Sequence, residues 1–280
     1  MLEQRDVTRD PTYWLTRDEA EARRLILQAR MFDPFMRTAM ERAGIGEGMT
    51  VLDVGTGAGD VAMLAANLVG PRGRVLAVDL DARAIELARA RALAAGMTNI
   101  EFIVGDCRTV ALPRRIDAIV GRLVLMYVAD PAATVRMLAD RLESGGIVLF
   151  QECNVTPVSV QSHPPLELMA RLSAWTRAAA THAGLNQAQG YDLRSVFIQA
   201  GLPEPQMQLD SSVGGGPDWE GYEYLEATLR SMLPLVICSG EATAEEIDID
   251  TVAARLRNEA IANDAVIKGP DMVSAWARKP

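Results

Sequence analysis

Three glycines, Gly55, Gly57 and Gly59, follow a short apolar run over residues 51–54 and precede a helical stretch. Because glycine has no Cβ atom, the backbone amides of such a turn can approach a ligand closely, and open α/β sheets bind nucleotides at this place. Asp60 stands where the dinucleotide fingerprint has its third glycine, and its carboxylate would oppose a pyrophosphate. The turn therefore favours a nucleoside without phosphates.

Two carboxylates end the next apolar runs of the chain. Asp79 ends V-L-A-V-D, twenty residues after Gly59, where a carboxylate accepts hydrogen bonds from ribose hydroxyls. Asp106, in V-G-D-C, follows the third run and can accept a hydrogen bond from an exocyclic amine such as adenine N6. If these runs are parallel strands, both carboxylates lie at the same sheet edge as the glycine turn.

Few side chains are candidates for proton transfer, since the chain has only two histidines. His182, near the end of a predicted helix over residues 166–182, is the candidate general base for a substrate hydroxyl. The alternative is an exposed imidazole that the dipole of the helix C-terminus stabilises. His163 lies in a Pro-containing loop and is a weaker candidate. Glu152, just past the fifth apolar run, would bind substrate, orient a hydroxyl or be structural.

These residues need a sheet to bring them together, and the chain has the pattern of one. Short apolar runs over residues 51–54, 75–78, 102–104, 116–120 and 147–150 alternate with helical stretches, and two further strands are predicted over 206–213 and 272–277. Asp81 and Asp130 are placed to cap helices between the runs. The pattern predicts an α/β fold: a Rossmann-like sheet of seven strands, with helices on both faces and parallel strands joined by right-handed crossovers.

Helical segments flank this predicted sheet. One helix is expected over residues 17–30 and a second from Asp33-Pro34 to about Gly44, so that residues 1–44 form an N-terminal lid. Residues 45–280 form the main domain, with cap insertions at about 153–190 and 217–267. The aromatic residues of these insertions would enclose a small, largely apolar ligand. They are Trp175, Trp219, Tyr222 and Tyr224.

Composition narrows the possible partners. The chain of 280 residues has 37 acidic and 28 basic residues, a net charge of −9, and no Lys/Arg cluster, which argues against a nucleic-acid surface. Cys107, Cys153 and Cys238 lie far apart, which fits neither a disulfide scaffold nor a zinc site, so no metal is expected. Neither a signal peptide nor a run of about 18 apolar residues occurs, so a cytoplasmic protein without a membrane partner is expected.

The ordered set of motifs resembles the class I S-adenosylmethionine-dependent methyltransferases. The matching segments are V-L-D-V-G-T-G-A-G-D, V-L-A-V-D-L-D, F-I-V-G-D-C and D-A-I-V-G-R-L-V-L-M-Y, within about residues 45 to 152. The resemblance implies S-adenosylmethionine as the cofactor, and O- or C-methylation of a small organic metabolite. The chain reads Gly121-Arg122-Leu123-Val124 where enzymes that methylate exocyclic amines or amide nitrogens have an Asn/Asp-Pro-Pro-aromatic motif, which argues against those substrates.

The resemblance also implies a contact for each cofactor-binding residue. At the methionine end, Gly55 and Gly57 would lie in close contact with the methionine moiety and Asp53 would bind its amino group. Tyr13 and Gln28 would cover its carboxylate. At the adenosine end, Asp79 would bind the ribose, Leu80 would pack against adenine and Asp106 would accept a hydrogen bond from adenine N6. The backbone amide of Cys107 would donate to the ring, and Arg122 would offer a backbone carbonyl after the fourth strand.

Three alternatives use the same sheet. A sensor that only binds the cofactor is the one that the large cap most disfavours. A nicotinamide-dependent oxidoreductase would need the dinucleotide fingerprint that Asp60 interrupts. A cyclase or isomerase of the same fold would keep the cofactor without transferring its methyl group.

Overall fold

The computed structural model of the protein describes residues 19–112 and 115–280, so Tyr13 lies outside the described residues. The described strands are β1 (Thr50–Val54), β2 (Arg74–Asp79), β3 (Ile100–Val104), β4 (Ala118–Arg122), β5 (Ile147–Asn154), β6 (Gln161–His163), β7 (Gln206–Asp210), β8 (Val213–Gly214), β9 (Val266–Lys268) and β10 (Asp271–Arg278). The described α-helices are α1 (Glu19–Ala43), α2 (Asp60–Val69), α3 (Ala82–Ala94), α4 (Pro131–Ala139), α5 (Glu167–His182), α6 (Gln189–Gln199), α7 (Gly221–Ser239), α8 (Ala244–Ile247) and α9 (Val252–Ala262).

Seven strands form one sheet in the order β3-β2-β1-β4-β5-β10-β7, which confirms the predicted α/β sheet. The first five strands are parallel to one another, and β10 pairs antiparallel with both β5 and β7. Strands β1, β4 and β5 are almost wholly buried because helices cover both faces, and each contains an apolar run. The strand order reverses between β1 and β4, and the crevice beyond their carboxyl ends is where such sheets bind ligands.

Apolar side chains form three clusters. One lies between the sheet, α2 and the second half of α1, and another lies on the opposite face under α4 and α6. The third lies mainly outside the parallel strands: it joins the first half of α1 to α5, α7 and α9, with Phe32 and Tyr222 fully buried in it, and touches the sheet through Met272 of β10 and Cys153 of β5. The helical cap therefore has a hydrophobic core of its own.

The predicted break at Asp33-Pro34 is wrong, because α1 is one continuous helix with Pro34 inside it. A proline within a helix lacks the backbone N–H and is unfavourable there. Burial compensates for this: Phe32, Met36 and Met40 on either side are 0% exposed, and the Thr38 hydroxyl donates to the Pro34 carbonyl over 2.9 Å. One helix therefore contributes to both the cap core and the sheet core.

A small antiparallel sheet, β6-β9-β8, is absent from the sequence-based predictions. Its strands have two or three residues each, too few to show an alternating pattern. The strand predicted over 206–213 is divided into β7, which joins the large sheet, and β8, which joins the small one. The helix predicted over 166–182 is confirmed as α5.

Candidate functional site

A cavity of about 740 Å³ lies between the carboxyl ends of the parallel strands and the helical cap. Its strand-edge half is lined by the glycine turn after β1 and by the residues that end β2 and follow β3, among them Gly57, Asp79 and Asp106. Its cap half is lined by residues of α1, α5 and α7 and of the loop after β5, among them Phe32, Arg177 and Thr228. The loop 123–129 after β4 lines the cavity between the two halves.

The glycine turn is held in a conformation that suits glycine. Gly55 and Gly57 have φ of 65° and 53°, in the left-handed region that residues with a Cβ atom rarely adopt. A Cβ atom on Gly55 would lie 2.6 Å from Cγ2 of Val124, so the turn packs against the loop after β4. A Cβ atom on Gly57 would meet nothing within 4 Å, because this residue faces the open cavity. A ligand can therefore approach the Gly57 backbone closely.

Asp79 is tied to this turn. Its Oδ2 accepts a hydrogen bond from the Gly57 amide over 2.8 Å, and its Oδ1 accepts one from the Asp81 amide over 2.9 Å. Next to it, the side chain of Leu80 is 59% exposed on the cavity wall. A carboxylate beside an exposed apolar side chain is the surface that a ribose and an adenine ring require.

Beneath the turn lie two buried polar atoms, Oδ2 of Asp53 and Oγ1 of Thr56, with no well-formed hydrogen bond to a described residue, although the Thr56 hydroxyl lies close enough to lower the pKa of the Asp53 carboxyl group. Asp53 is 1% exposed, and burial raises the pKa of its carboxyl group to about 7. Native proteins rarely leave such groups unpaired. The amino group of a bound amino-acid moiety, directly or through water, would supply the missing donor, so these residues fit S-adenosylmethionine.

The charge of Asp60, which argues against a pyrophosphate ligand, is paired within the protein. Arg91 of α3 contacts the Asp60 carboxylate over 2.6 Å and donates to the Ala58 carbonyl over 2.5 Å. This pair ties α3 to the end of the glycine turn. The sequence-based reading identified the carboxylate but not its partner.

Asp106 and Cys107 line the adenosine end of the strand-edge half. The guanidinium of Arg108 donates to both oxygens of Asp106, over 2.9 and 3.0 Å from Nε, and these contacts lower the pKa of that carboxyl group. The carboxylate is therefore ionised and can accept a further hydrogen bond from an amine. Burial raises the pKa of the Cys107 thiol to about 11, so its side chain stays neutral.

Arg122, Gln28 and Arg24 line the cavity close to α1. The Arg122 side chain is 3% exposed and binds Asp33 of α1 over 2.8 Å. Gln28 accepts a hydrogen bond from Arg24 over 2.7 Å, and both side chains are buried. The structure thus brings Gln28 and Arg122 to the same cavity as the glycine turn.

Glu152 does not line the cavity but lies behind its wall. The side chain is fully buried, and Oε1 accepts hydrogen bonds from the backbone amides of Val124 and Leu125 over 2.9 and 2.8 Å. Leu123, which lies between β4 and Val124, has φ of 56°, a backbone conformation that is strained for leucine. Burial raises the pKa of the Glu152 carboxyl group to about 7. This arrangement contradicts direct contact with substrate.

The structure also contradicts His182 as a base in the site. This residue is exposed at the end of α5 and does not line the cavity, although Arg177 and Ala180 of the same helix do. The helix turns by about 100° per residue, so a residue two positions from the cavity-facing Ala180 points elsewhere. The weaker candidate, His163, is exposed in β6. The alternative reading of His182, an imidazole at a helix C-terminus, agrees with its position.

Several cavity residues were not identified from the sequence. Ser173, Thr176, Arg177 and Ala180 form one face of α5, at spacings of three and four residues. Of the four cap aromatics expected to enclose the ligand, Tyr224 of α7 lines the cavity, whereas Trp175, Trp219 and Tyr222 do not. The Tyr224 ring packs edge-on against Phe32 at 5.3 Å, and burial raises the pKa of its hydroxyl to about 12. The helical periodicity was visible in the sequence, but which helical face would meet the cavity was not.

Neither a metal-ligand cluster nor a membrane-spanning helix is present among the described residues. Within residues 19–112 and 115–280, no group of three or more His, Cys, Asp or Glu side chains is arranged to hold a metal ion. No helix in the same ranges is both long enough and apolar enough to cross a bilayer.

Known proteins are similar to this chain in sequence. A family model described as a methyltransferase domain matches residues 45–201. The ubiquinone/menaquinone biosynthesis C-methyltransferase UbiE of Pseudomonas putida F1 is 31% identical over 197 residues, which cover 63% of this chain and 74% of that protein. The aklanonic acid methyltransferase DauC of Streptomyces sp. C5 is 32% identical over 125 residues, 44% of this chain and 57% of that one.

Among solved structures, a protein from Bacillus halodurans C-125 described as a methyltransferase superposes with a TM-score of 0.57. It is 18% identical in sequence, and the match covers 88% of this chain and 98% of that one, so it supports the fold alone. The family match extends over more than half of the 280 residues. The chain therefore belongs to the class I S-adenosylmethionine-dependent methyltransferases.

Proposed function

We propose that this methyltransferase of small molecules binds its cofactor along the strand-edge half of the cavity and a largely apolar acceptor in the cap half. The observation that carries this proposal is one continuous cavity that has polar groups at the strand ends and side chains such as Phe32, Leu172, Leu225 and Met232 on the cap side. Such a combination of apolar walls and a few placed polar groups is typical of small-molecule sites.

The cofactor contacts belong to the proposal residue by residue. Gly55 and Gly57 present backbone to the methionine moiety, and Asp53 pairs with its amino group. Asp79 accepts from the ribose hydroxyls, Leu80 packs on adenine, Asp106 accepts from its exocyclic amine, and the Cys107 amide donates to the ring. Gln28 and the Arg122 backbone complete the site on the side of α1, and Tyr13 belongs to it by resemblance alone.

When bound, S-adenosylmethionine supplies an electrophilic methyl group. The protein has to align the acceptor with it and exclude water, which is the task of α1, α5 and α7 around the cap half. The division into a lid over residues 1–44 and cap insertions at about 153–190 and 217–267 is proposed on this basis. A cytoplasmic location is proposed on the three free cysteines.

The nature of the acceptor follows from which groups line the cap half. Among the described residues, no carboxylate or imidazole lines it. An acceptor with a weakly acidic hydroxyl would need such a base. We therefore propose an acceptor whose nucleophilic carbon or oxygen is already acidic, so that alignment alone suffices. The names of UbiE, a C-methyltransferase, and DauC, which acts on aklanonic acid, agree with this class of acceptor.

Glu152 is proposed as a positioning residue for the loop after β4. The loop carries Leu123, Met126 and Tyr127 into the cavity wall, and its strained start at Leu123 needs a fixed partner. The Glu152 carboxyl group provides one by accepting from two successive amides. The loop then stays in place between cofactor and acceptor.

The test is a reaction of the purified chain with methyl-labelled S-adenosylmethionine and a panel of phenols, 1,3-dicarbonyl compounds and aromatic acids. We expect S-adenosylhomocysteine, together with an acceptor that mass spectrometry shows to have gained one methyl group. An acceptor that rearranges without a gain in mass would instead indicate a cyclase or isomerase. Calorimetric binding of NADH, with none of S-adenosylmethionine, would indicate an oxidoreductase.

A further inference from the structure

The charged residues of the cavity wall are distributed unevenly. The carboxylates that line it, Asp60, Asp79, Asp81 and Asp106, all lie in the strand-edge half. In the cap half, the charged residues among those described are arginines, Arg24 of α1 and Arg177 of α5. The strand-edge half therefore offers carboxylate acceptors to hydroxyl and amino groups, although Arg83, Arg108 and Arg122 also line it, whereas the charged residues of the cap half among those described are all positive.

Arg177 differs from the arginines near the site that have an acidic partner, and from Arg83, which also lines the cavity but is exposed. Arg122 pairs with Asp33, Arg91 with Asp60 and Arg108 with Asp106. Arg177 is half-buried, and its guanidinium has no ion pair or hydrogen bond with any described residue. Removing a cation from water without an anionic partner is unfavourable. A guanidinium in a ligand cavity without a protein partner is therefore available to an anion of the ligand.

The surroundings of Arg177 favour a planar anion. Thr176 and Ser173 lie on the same cavity-facing side of α5. Helix α7 packs against α5 and contributes Thr228, whose buried Oγ1 lies beside the Tyr224 hydroxyl without a well-formed hydrogen bond. A carboxylate has two oxygens, which match the two parallel N–H groups of a guanidinium, and its lone pairs can also accept from a hydroxyl.

We propose that Arg177 binds a carboxylate of the methyl acceptor, so that the enzyme selects apolar carboxylic acids over their neutral analogues. This inference rests on the proposed function, because it deepens the description of the same cavity. It also agrees with the lack of a base in the cap half, since an anionic acceptor is retained by charge rather than activated by proton removal.

The experiment measures binding to the full chain saturated with S-adenosylhomocysteine. The probes are benzoate, 2-naphthoate and 2-anthroate, each compared with its carboxamide by calorimetry at millimolar concentration. We expect the carboxylates to bind more tightly than the amides. In Arg177→Met this preference should be lost, with carboxylate affinity reduced by about tenfold to a hundredfold and amide affinity unchanged. Arg177→Lys should retain part of the preference, because lysine keeps the positive charge but lacks the two parallel N–H groups of the guanidinium.

The matched control is Arg171→Met. Arg171 is exposed on the same helix, stacks on Trp175 at 5.0 Å and does not line the cavity. The substitution removes the same charge from α5, so it should leave the carboxylate preference intact. Circular dichroism and thermal unfolding of each variant establish that the fold is preserved.

Three results would overturn the inference. The first two are that the amides bind as tightly as the carboxylates and that the carboxylates fail to bind. The third is that Arg177→Met weakens the binding of S-adenosylhomocysteine itself tenfold or more, which would assign Arg177 to the cofactor carboxylate. None of these results would affect methyl transfer to another acceptor. Failure of the proposed function is distinguishable, because in that case the unsubstituted chain would form no methylated product with any compound of the labelled-methyl panel.

Discussion

The two halves of the cavity are built in different ways. In the strand-edge half, the groups that face the cavity follow the ends of neighbouring parallel strands, so that Gly57 and Asp79 meet over 2.8 Å although 22 residues separate them. The cap half is assembled from helices of distant segments: Phe32 of α1 packs on Tyr224 of α7 at 5.3 Å. Backbone pairing determines the first half, and side-chain packing determines the second.

This difference has a functional counterpart. The strand-edge half consists of turn amides and carboxylates that suit one constant ligand, the cofactor. The cap half has a hydrophobic cluster formed mainly by α1, α5, α7 and α9, which is separate from the two clusters on the faces of the sheet. We infer that cofactor binding depends on a few exact backbone positions, whereas acceptor choice depends on the packing of the cap.

The largest expected effect is at the glycine turn. Gly57→Val places a β-branched side chain in the space that the ligand would occupy and forces it into a left-handed conformation. We expect calorimetry to detect no binding of S-adenosylmethionine. The control is Gly96→Val, because Gly96 has φ of 69° with open space around it at the end of α3.

Both glycine substitutions should lower the free energy of unfolding by about 1 to 2 kcal/mol, since each imposes the same backbone strain. Only Gly57→Val should lose the cofactor. If Gly57→Val still binds S-adenosylmethionine, the turn merely connects β1 to α2. The distinction between a strand-edge half built on exact backbone positions and a cap half built on packing would then fail.

The next effect concerns the loop between the halves. Glu152→Ala leaves the Val124 and Leu125 amides without their acceptor, and we expect a fall in kcat of about 100-fold from misplacement of the loop. Glu152→Gln keeps an amide oxygen in the same place and should restore kcat to near that of the unsubstituted enzyme. Steady-state kinetics distinguish the two roles: a Gln variant as impaired as the Ala variant would mean that the charge itself takes part in the reaction.

Glu152 also predicts a pH dependence of stability. A carboxyl group whose pKa is raised on folding stabilises the fold below its ordinary pKa of 4.5, and this contribution is lost as the pH rises through about 7. Asp53, with a pKa also raised to about 7, acts in the same direction. These two groups should therefore contribute a stability that falls from pH 4.5 to 7 in denaturant unfolding, with a smaller fall in Glu152→Gln than in the unsubstituted chain. An unchanged slope would contradict the raised pKa of Glu152.

A smaller effect is expected at the ribose position. Asp79→Ala should weaken cofactor binding by about 1.5 to 3 kcal/mol, the range for hydrogen bonds to a charged acceptor. Asp117→Ala is the matched control, because Asp117 accepts from the Thr50 amide over 2.8 Å at the opposite end of the sheet. Calorimetry should show a loss only for Asp79→Ala. Equal affinities in the two variants would remove Asp79 from the site.

The smallest effect is expected at His182. Because this residue is exposed and outside the cavity, His182→Ala should change turnover by less than about twofold, well below the range for loss of a general base. The measurement is kcat across neutral pH with the acceptor found in the labelled-methyl panel. A fall of about 100-fold or more would show that α5 turns to bring His182 into the cap half during the reaction.

Most of the strand-edge half could be predicted from the sequence. Strands β1 to β5 show as apolar runs, and each functional group follows a run directly, so position along the chain predicts position in space. Asp79 and Asp106 are examples, and both line the cavity. The partners of the carboxylates were not predictable: Arg91 on Asp60 comes from 31 residues away.

The cap half was much less predictable. The pattern of α5 shows a helix, but not that Arg177 would face the cavity while His182 faces solvent. A proline signal at Pro34 predicted two helices, and the burial of Phe32, Met36 and Met40 produced one. Propensity acts over a few residues, and packing against distant elements outweighs it here.

The sequence by itself thus determined the parallel sheet, the glycine turn and the carboxylates at the strand ends, because local periodicity and chain order specify them. Only the tertiary structure decided that Glu152 points back at the Val124 and Leu125 amides rather than into the cavity. It also decided which face of each cap helix lines the cavity. Both depend on contacts between residues far apart in the chain, whose geometry is established only when the hydrophobic clusters pack.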